Sequence, residues 1–295
     1  MDVYEVVTKE ILERIDQGVI PWQITWSRRH ADRNGVSNRE YRGINTILTS
    51  MKGFAQTDWY TMRQIRDGGW RLKEGRQRMT TVCFFKKYIP SKTQEDAILE
   101  VLGVPNKSGA RLTLRYYGVF NREQIDGLPE LPPDDDVEFN PIDKCEKVIE
   151  EFADRPQIRY GGGQPYYSPS QDYVQMPPKG DFDSPEEFYA ALFHELVHST
   201  GHASRTGRTE GQRHKFGSTD YAREELTAEI GAAMLCRHCG ITKTFENAVA
   251  YLQSWREVLC NDKKCVVIAA QRAQKAVDYM LNLKQDEKGN ENGED

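Results

Sequence analysis

The segment FHELVHSTGH, residues 193–202, carries a His-Glu-x-x-His pattern and decides the fold expected for the second half of the chain. Residues four positions apart on a helix share one face, so His194 and His198 can bind the same metal ion. Glu195 then lies beside a water on that metal and is our predicted general base. The pattern indicates metal-assisted hydrolysis of a peptide bond, with Zn²⁺ as the expected metal.

The residues around this pattern predict where its helix begins and ends. Ser184 precedes Pro185 and stands three positions before Glu187, which is a capping box with proline at the first helical position. Gly201 is typical of the position just past a helix end. We therefore predict a helix over 185–199.

A third metal ligand distinguishes between classes of zinc peptidase. One class places a further His three residues after the glycine, but residue 204 is Ser, which excludes that arrangement. The gluzincin arrangement takes a Glu from a second helix, and the segment YAREELTAEIGAAML, residues 221–235, offers Glu225. Glu229, one turn further on, would orient one of the His ligands. The alternative is that both Glu are solvated surface charges.

Two features of the predicted site stay open. Two His and one carboxylate also suit Mn²⁺ or another divalent metal. His202, His214 and Tyr221 are the candidate donors that would stabilise the transition state, and the sequence does not choose between them. His202, beyond the helix end, is also an alternative metal ligand.

The cysteines offer a competing metal site. Four of them would be enough for a four-thiolate zinc site: Cys236, Cys239, Cys260 and Cys265. The first two fall at the end of a predicted helix, without the knuckle-type turn that such sites use. We therefore interpret these cysteines as buried or half-buried thiols. Six cysteines in 295 residues do not make a disulfide scaffold, and they suit a reducing compartment.

The net charge of −5 conceals two halves of opposite charge. Residues 1–122 contain 21 Lys and Arg against 13 Asp and Glu, a net +8, and residues 123–295 contain 19 against 32, a net −13. A basic half is typical of a polyanion-binding module joined to a part with another task. No apolar stretch approaches the roughly 20 residues of a membrane span, and the N-terminal segment lacks the features of a secretory signal, so we expect a cytoplasmic protein.

The basic half combines arginines with flat aromatic rings. Arg28, Arg29, Arg33, Arg39 and Arg42 lie among Trp22, Trp26 and Tyr41. Cations that follow phosphates, next to rings on which bases stack, are what single-strand binding without sequence preference requires. The alternative is that the rings pack in a core and the arginines form a solvated face.

The proline-rich acidic segment EQIDGLPELPPDDDVEFNP, residues 123–141, predicts a linker between two domains. We predict an α+β protein: a mixed α/β domain over 1–122, a second domain over 142–284 and a disordered tail over 285–295. The length allows each domain its own core. Within the first domain we predict helices near 3–15, 44–51 and 57–66, and strands over 79–87 and 111–120.

The chain resembles the ArdC-type antirestriction proteins of mobile elements. The resemblance rests on YRGIN (41–45), DWYTMRQI (58–65) and residues 69–75 in the first half. In the second half it rests on YYSPSQDYVQMPP (166–178), FHELVHSTGH (193–202) and EELTAEIGAAML (224–235). It covers nearly the whole chain up to the tail.

This resemblance implies an N-terminal domain that binds single-stranded DNA and a C-terminal zincin-like metallopeptidase domain. It implies protection of a conjugating plasmid from host type I restriction, and a metal site of His194, His198 and Glu225 with Glu195 as base. On residue chemistry, the expected DNA contacts are Arg28, Arg29, Arg39, Tyr41, Arg42, Asn45, Lys86 and Lys87.

Two other functions remain open. The chain is alternatively a DNA-targeted metalloprotease that cleaves DNA-associated proteins, with a host restriction enzyme among the conceivable substrates, or a binding module that a metal merely stabilises. Glu195 argues against the last, since a structural site has no need of it. The charge division also predicts that residues 1–122, expressed alone, retain the DNA affinity.

Overall fold

The first half of the chain forms a mixed sheet with helices packed on it. A computed structural model describes residues 2–22, 31–88, 111–131, 141–209, 219–241 and 248–283. The sheet has the strand order β1-β2-β5-β4, and β3 pairs with β6 beside it. The elements are α1 (Val3–Ile15), β1 (Arg33–Asn34), α2 (Ile44–Ser50), β2 (Asp58–Thr61), α3 (Met62–Asp67), β3 (Arg71–Leu72), β4 (Thr80–Tyr88), β5 (Arg111–Asn121) and β6 (Ile125–Asp126).

The second half places long helices beside a small sheet of order β7-β9-β8. This is the predicted α+β fold. None of the helices in the described ranges is long and apolar enough to cross a membrane. The elements are α4 (Pro141–Glu151), β7 (Gln157–Tyr160), β8 (Tyr166–Ser168), β9 (Tyr173–Met176), α5 (Pro185–Ser199), α6 (Thr219–Cys239), α7 (Ala248–Asn261) and α8 (Cys265–Met280).

The helix that carries the His-Glu-x-x-His pattern has the predicted bounds. It begins at Pro185, and the Ser184 hydroxyl accepts a hydrogen bond from the backbone amide of Glu187 at 3.2 Å. Such a cap satisfies one of the free amides of the first turn. Glu186 and Glu187, also in this turn, interact favourably with the positive end of the helix dipole. Local sequence thus suffices to position both histidines on one helix.

The predicted helix over 57–66 is wrong in its first half. Asp58–Thr61 is a strand that pairs with β1 on one side and with β5 on the other, and only Met62–Asp67 is helical. Trp59 and Tyr60 are both buried, so the run shows no alternation of apolar and polar residues. The hydrophobic periodicity of a short, fully buried run does not distinguish a strand from a helix. Here pairing with the two flanking strands makes the run a strand.

The two halves share one hydrophobic cluster, in addition to buried clusters that lie within each half. Val7 and Ile11 of α1 and Ile47 of α2 pack in the same buried cluster as Ile230 of α6 and Val266 of α8. The buried side chains of α1 and α2 therefore need the second half as their partner. A fragment of residues 1–122 would expose these side chains to water.

The start of the predicted linker belongs to the first half. Ile125 and Asp126 pair with Leu72 and Arg71, which continues the fold of the first half beyond residue 122. Ile125 is buried, which its position inside an acidic, proline-rich run does not suggest. Residues 132–140, with the acidic run 134–136, and the predicted tail lie outside the described residues.

A buried ion pair joins the halves at Asp32. Its carboxylate is almost fully buried and accepts hydrogen bonds from Thr49 Oγ1 at 2.9 Å and from Trp59 Nε1 at 3.1 Å. Arg237, on the last turn of α6, donates to Asp32 Oδ2 at 3.1 Å and to Ser50 Oγ at 2.7 Å. A buried carboxylate is stable only when its oxygens are paired, so these donors fix α6 against α2.

The turn before α2 makes a second connection. Arg42 forms an ion pair with Asp278 of α8, and the Gly43 amide donates to Gln274 Oε1 at 2.8 Å. Gly43 has φ of 58° and ψ of −129°, a backbone conformation that residues with a Cβ rarely adopt. The segment YRGIN thus holds the first half on α8.

We expect Arg237→Ala to lower the free energy of unfolding by about 3 kcal/mol, because it leaves the Asp32 carboxylate buried without its guanidinium. Urea unfolding measures the change. Asp67→Asn is the control, since the Arg63–Asp67 pair on α3 is largely exposed and its loss should cost at most about 0.5 kcal/mol. Equal effects of the two substitutions would contradict the role given to Arg237.

Candidate metal centre

Close packing of α5 on α6 brings the predicted ligands together. Gly231 of α6 faces Val197 of α5, and a Cβ at Gly231 would lie 2.9 Å from the Val197 methyl carbons. A larger residue would push the two helices apart. The glycine therefore lets α6 approach α5 closely enough for the Glu side chains of α6 to reach the imidazoles.

Three side chains converge with the separations of a metal ligand set. His194 Nε2 lies 3.1 Å from His198 Nε2, and the carboxylate oxygens of Glu225 lie 3.6 Å from each of these nitrogens. Within the described ranges, no other group of three His, Cys, Asp or Glu side chains converges this closely.

The donor set fits a divalent metal. Four ligands at about 2.0–2.1 Å around a tetrahedral ion lie roughly 3.3 Å from each other, which the observed separations approach. Two nitrogens and one carboxylate leave a further coordination position, as catalytic rather than structural sites do. The three predicted ligands therefore occupy positions from which they can hold one ion.

Glu229 lies behind His194. Its Oε1 is 3.6 Å from His194 Nδ1, the nitrogen that faces away from the ligand cluster, and this is the place predicted for a carboxylate that orients the ring. Burial raises the pKa of Glu229. Burial also opposes a charge on His194, but the hydrogen bond to Glu225 and the charge of Glu229 raise its pKa to about 9. The site thus stabilises positive charge where a cation would bind.

Sequence reasoning missed the carboxylate behind the second imidazole. Glu224 Oε1 lies 3.2 Å from His198 Nδ1, and Arg208 donates to the same oxygen at 2.6 Å and to the Val197 carbonyl at 2.6 Å. Burial disfavours the Glu224 carboxylate, but His198 and Arg208 lower its pKa to about 2. The adjacent residues Glu224 and Glu225 were the available signal for this second carboxylate, because neighbouring positions on α6 can face two different ligands on α5.

The remaining candidates separate by position. Glu195 is buried on α5, one residue from His194. The Tyr221 hydroxyl hydrogen-bonds the Glu225 carboxylate, whose pKa is raised by burial but lowered overall by its His and Tyr partners. His202 pairs instead with Ser204 Oγ at 2.8 Å, outside the ligand cluster, and His214 lies outside the described residues. Of the three unranked groups, Tyr221 is the one seen beside a ligand.

The cysteines do not form a competing site in the described ranges. Cys236, Cys239 and Cys265 are buried free thiols, as interpreted from the sequence, whereas Cys260 is exposed. Burial raises the pKa of the Cys265 thiol to about 11, so it is a neutral group near pH 7. These side chains pack as small apolar groups.

Three of the predicted DNA contacts take part in internal structure. Tyr41 packs against the buried cluster of Trp59, Val82 and Val119. The Asn45 amide bonds both the amide and the carbonyl of Cys83, at 2.7 Å each, which ties α2 to β4. Arg42 forms the ion pair to α8 described above. Contacts of these residues with DNA remain a prediction.

The other predicted DNA contacts are only partly described. Arg39 is exposed in the loop before α2. Lys86 and Lys87 lie on β4, paired with Thr113 and Leu112 of β5, but their side chains fall outside the described set. Arg28 and Arg29 also lie outside it.

Two family models match successive parts of the chain. Residues 1–120 match the N-terminal domain of the anti-restriction factor ArdC, and residues 144–272 match a zincin-like metallopeptidase domain. Two solved structures of the antirestriction ArdC protein from plasmid R388 are 32% identical over 96% of this chain. The metal-free one is covered to 97%, with a TM-score of 0.74, and the Mn(II)-bound one to 98%, with a TM-score of 0.73.

Curated relatives differ in length from this chain. An uncharacterised protein, y4eC, of Sinorhizobium fredii is 33% identical over 303 residues, which cover 98% of this chain and 95% of that protein. A DNA primase TraC of Escherichia coli is also 33% identical, over 96% of this chain. The chain spans only 20% of that primase, and 27% of a second one.

We expect Glu224→Gln to weaken binding of Zn²⁺ roughly 10- to 100-fold, because the amide no longer provides the charge that orients and polarises His198. Competition with a chromophoric chelator measures the affinity. Asp220→Asn, in the first turn of the same helix and 65% exposed, is the control and should leave the affinity unchanged. Wild-type affinity in Glu224→Gln would refute a role of Glu224 behind the ligand.

Proposed function

Because the chain belongs to the ArdC family of antirestriction proteins, we propose that it binds incoming single-stranded DNA and protects it from host type I restriction. We further propose that its zincin-like domain is a metal-dependent peptidase, with His194, His198 and Glu225 as ligands of Zn²⁺. The observation that carries this proposal is the convergence of these three side chains on two packed helices, with Glu195 adjacent to His194 in the chain. Mn²⁺ is the alternative metal, since a related ArdC has been solved with Mn(II) bound.

The arrangement suits hydrolysis of an amide bond. When bound, the divalent metal lowers the pKa of a water and polarises the carbonyl of the peptide. Glu195 lies next to a ligand on the same helix, where its carboxylate can take the proton from that water and pass it to the leaving amine. Tyr221, half-buried beside Glu225, would donate a hydrogen bond to the oxygen of the tetrahedral intermediate.

The charge distribution supports the DNA part of the proposal. The net +8 of residues 1–122 provides a long-range attraction for phosphates, and the net −13 of the remainder keeps the strand away from the peptidase half. Affinity that arises in this way depends steeply on salt.

A second function, a protease directed to proteins on DNA, is favoured by one feature. The Asp32–Arg237 pair and the shared cluster connect the basic half directly to α6, which carries Glu225. A strand held by the first half would therefore lie at a defined distance from the peptidase site. Binding then delivers the protease to its substrate, and cleavage is the physiological act.

The variant Glu195→Gln separates the two functions. It removes the general base and leaves the metal ligands and the basic half in place, so we expect unchanged metal content and unchanged affinity for single-stranded DNA. Transfer of unmodified plasmid into a host with a type I restriction system measures protection. Full protection would show that coating of DNA suffices, whereas lost protection would show that catalysis is required.

Glu186→Gln, in the first turn of the same helix and away from the ligands, is the matched control and should protect fully. Removal of the metal with a chelator should abolish any peptidase activity and lower the melting temperature of the wild-type protein. If metal removal changes neither quantity, the proposed centre is refuted.

Single-strand binding is tested with a labelled oligothymidine and with a duplex of equal length. We expect the single strand to bind more tightly, and its affinity to fall steeply between about 50 and 200 mM salt, since phosphates release counterions on binding. Equal affinity for both forms, without dependence on salt, would refute the DNA part of the proposal.

A further inference from the structure

The β4–β5 hairpin presents two faces of different character. In an antiparallel pair, residues opposite each other lie on the same face. Cys83 with Tyr116 and Phe85 with Leu114 mark one face, and Phe84 with Arg115 lies on the other. The first face contributes Cys83 and Leu114 to the cluster shared by the two halves, with Phe85 packed against it. That face is therefore occupied by the fold itself.

The second face presents two rings side by side. Val82 pairs with Tyr117, and the Phe84 and Tyr117 rings have centroids 5.6 Å apart and planes inclined by 58°. Both rings are half-buried, and Tyr117 packs against the buried cluster of Trp59, Val82 and Val119. Aromatic rings that keep part of their surface in solvent are suited to stacking of a base.

An exposed arginine lies beside this pair of rings. Arg115, directly across from Phe84, is exposed, and no described residue forms an ion pair with it. Arg115 is also two residues from Tyr117 on β5 and on the same face of the hairpin, so it lies beside both rings.

We propose that this face of the hairpin is where the protein binds single-stranded DNA, with bases stacked on Phe84 and Tyr117 and a phosphate held by Arg115. The inference rests on the proposed single-strand binding and assigns it to particular residues. A guanidinium beside two rings matches a strand in which phosphates alternate with bases.

The exposed tyrosines of the second half are a poorer match. Tyr166 and Tyr173 lie edge to face with centroids 6.0 Å apart, but Arg159 stacks on Tyr173, 3.9 Å from its ring centroid. That ring face is already covered, and this half of the chain carries the net negative charge. The hairpin face has both partly exposed rings and an exposed arginine.

The experiment measures binding of fluorescent oligothymidine to the full chain by anisotropy, over a range of salt concentrations. Phe84→Ala should weaken binding roughly 5- to 100-fold, the effect of losing one stacked base, with the salt dependence unchanged. Phe84→Leu keeps apolar volume in the half-buried position and should weaken binding as well. Arg115→Ala should lower the slope of log affinity against log salt by roughly 0.7, the contribution of one phosphate.

Tyr116→Ala is the matched control for Phe84. Tyr116 is an aromatic residue of the same hairpin, 47% exposed, but on the opposite face, and its loss should leave affinity unchanged. Arg63→Ala, on α3, is the control for Arg115, since Arg63 is already paired with Asp67. Thermal unfolding of each variant confirms that the fold is retained.

The outcomes distinguish this inference from the function on which it rests. If the wild-type chain fails to bind the oligonucleotide, the proposed function itself is refuted. A second outcome is that the wild type binds and that Phe84→Leu and Arg115→Ala have the same affinity as the control Tyr116→Ala. Single-strand binding then stands, and its assignment to this face is overturned. If Phe84→Leu loses affinity for heparin, which has no bases, as strongly as for DNA, stacking on Phe84 is overturned.

Discussion

The packing of α5 against α6 is the constraint on which the rest of the structure depends. It places two imidazoles against three carboxylates at the edge of a hydrophobic cluster, where an unpaired charge would be costly. Each carboxylate therefore has a partner: Glu225 contacts both imidazoles, Glu229 lies behind His194, and Glu224 bridges His198 and Arg208. Gly231 permits this approach because a larger side chain would collide with Val197.

The same helix connects the site to the other half of the molecule. One end of α6 carries the carboxylates, and Arg237 at the other end pairs with the buried Asp32. Along its length, Leu226 and Ile230 pack in the cluster that also contains α1 and α2. The basic half is thus part of the packing that holds the metal centre, and a change on either side of α6 has a route to the other.

The family relation and the site geometry support each other in different ways. Solved relatives share this fold over nearly the whole chain, and one of them was described with Mn(II). The chain itself contributes the geometry: ligand atoms 3.1–3.6 Å apart, and a carboxylate behind each imidazole. A chain that spans a fifth of one TraC primase also indicates that this unit occurs within longer proteins.

Local patterns in the sequence were enough for α5, its cap at Ser184 and the candidate ligands His194, His198 and Glu225, because helical spacing and a ligand-spacing rule depend on near neighbours. They were not enough for Asp58–Thr61, whose strand is decided by pairing with β1 and β5, nor for Arg208, which reaches Glu224 from a separate loop. Asn45 and Arg42 read as DNA contacts in the sequence, yet their side chains bond β4 and α8. Sequence alone determined the chemistry of the metal site and the charge of each half. Only the tertiary structure decided which polar groups are consumed by internal contacts, because those contacts join residues far apart in the chain.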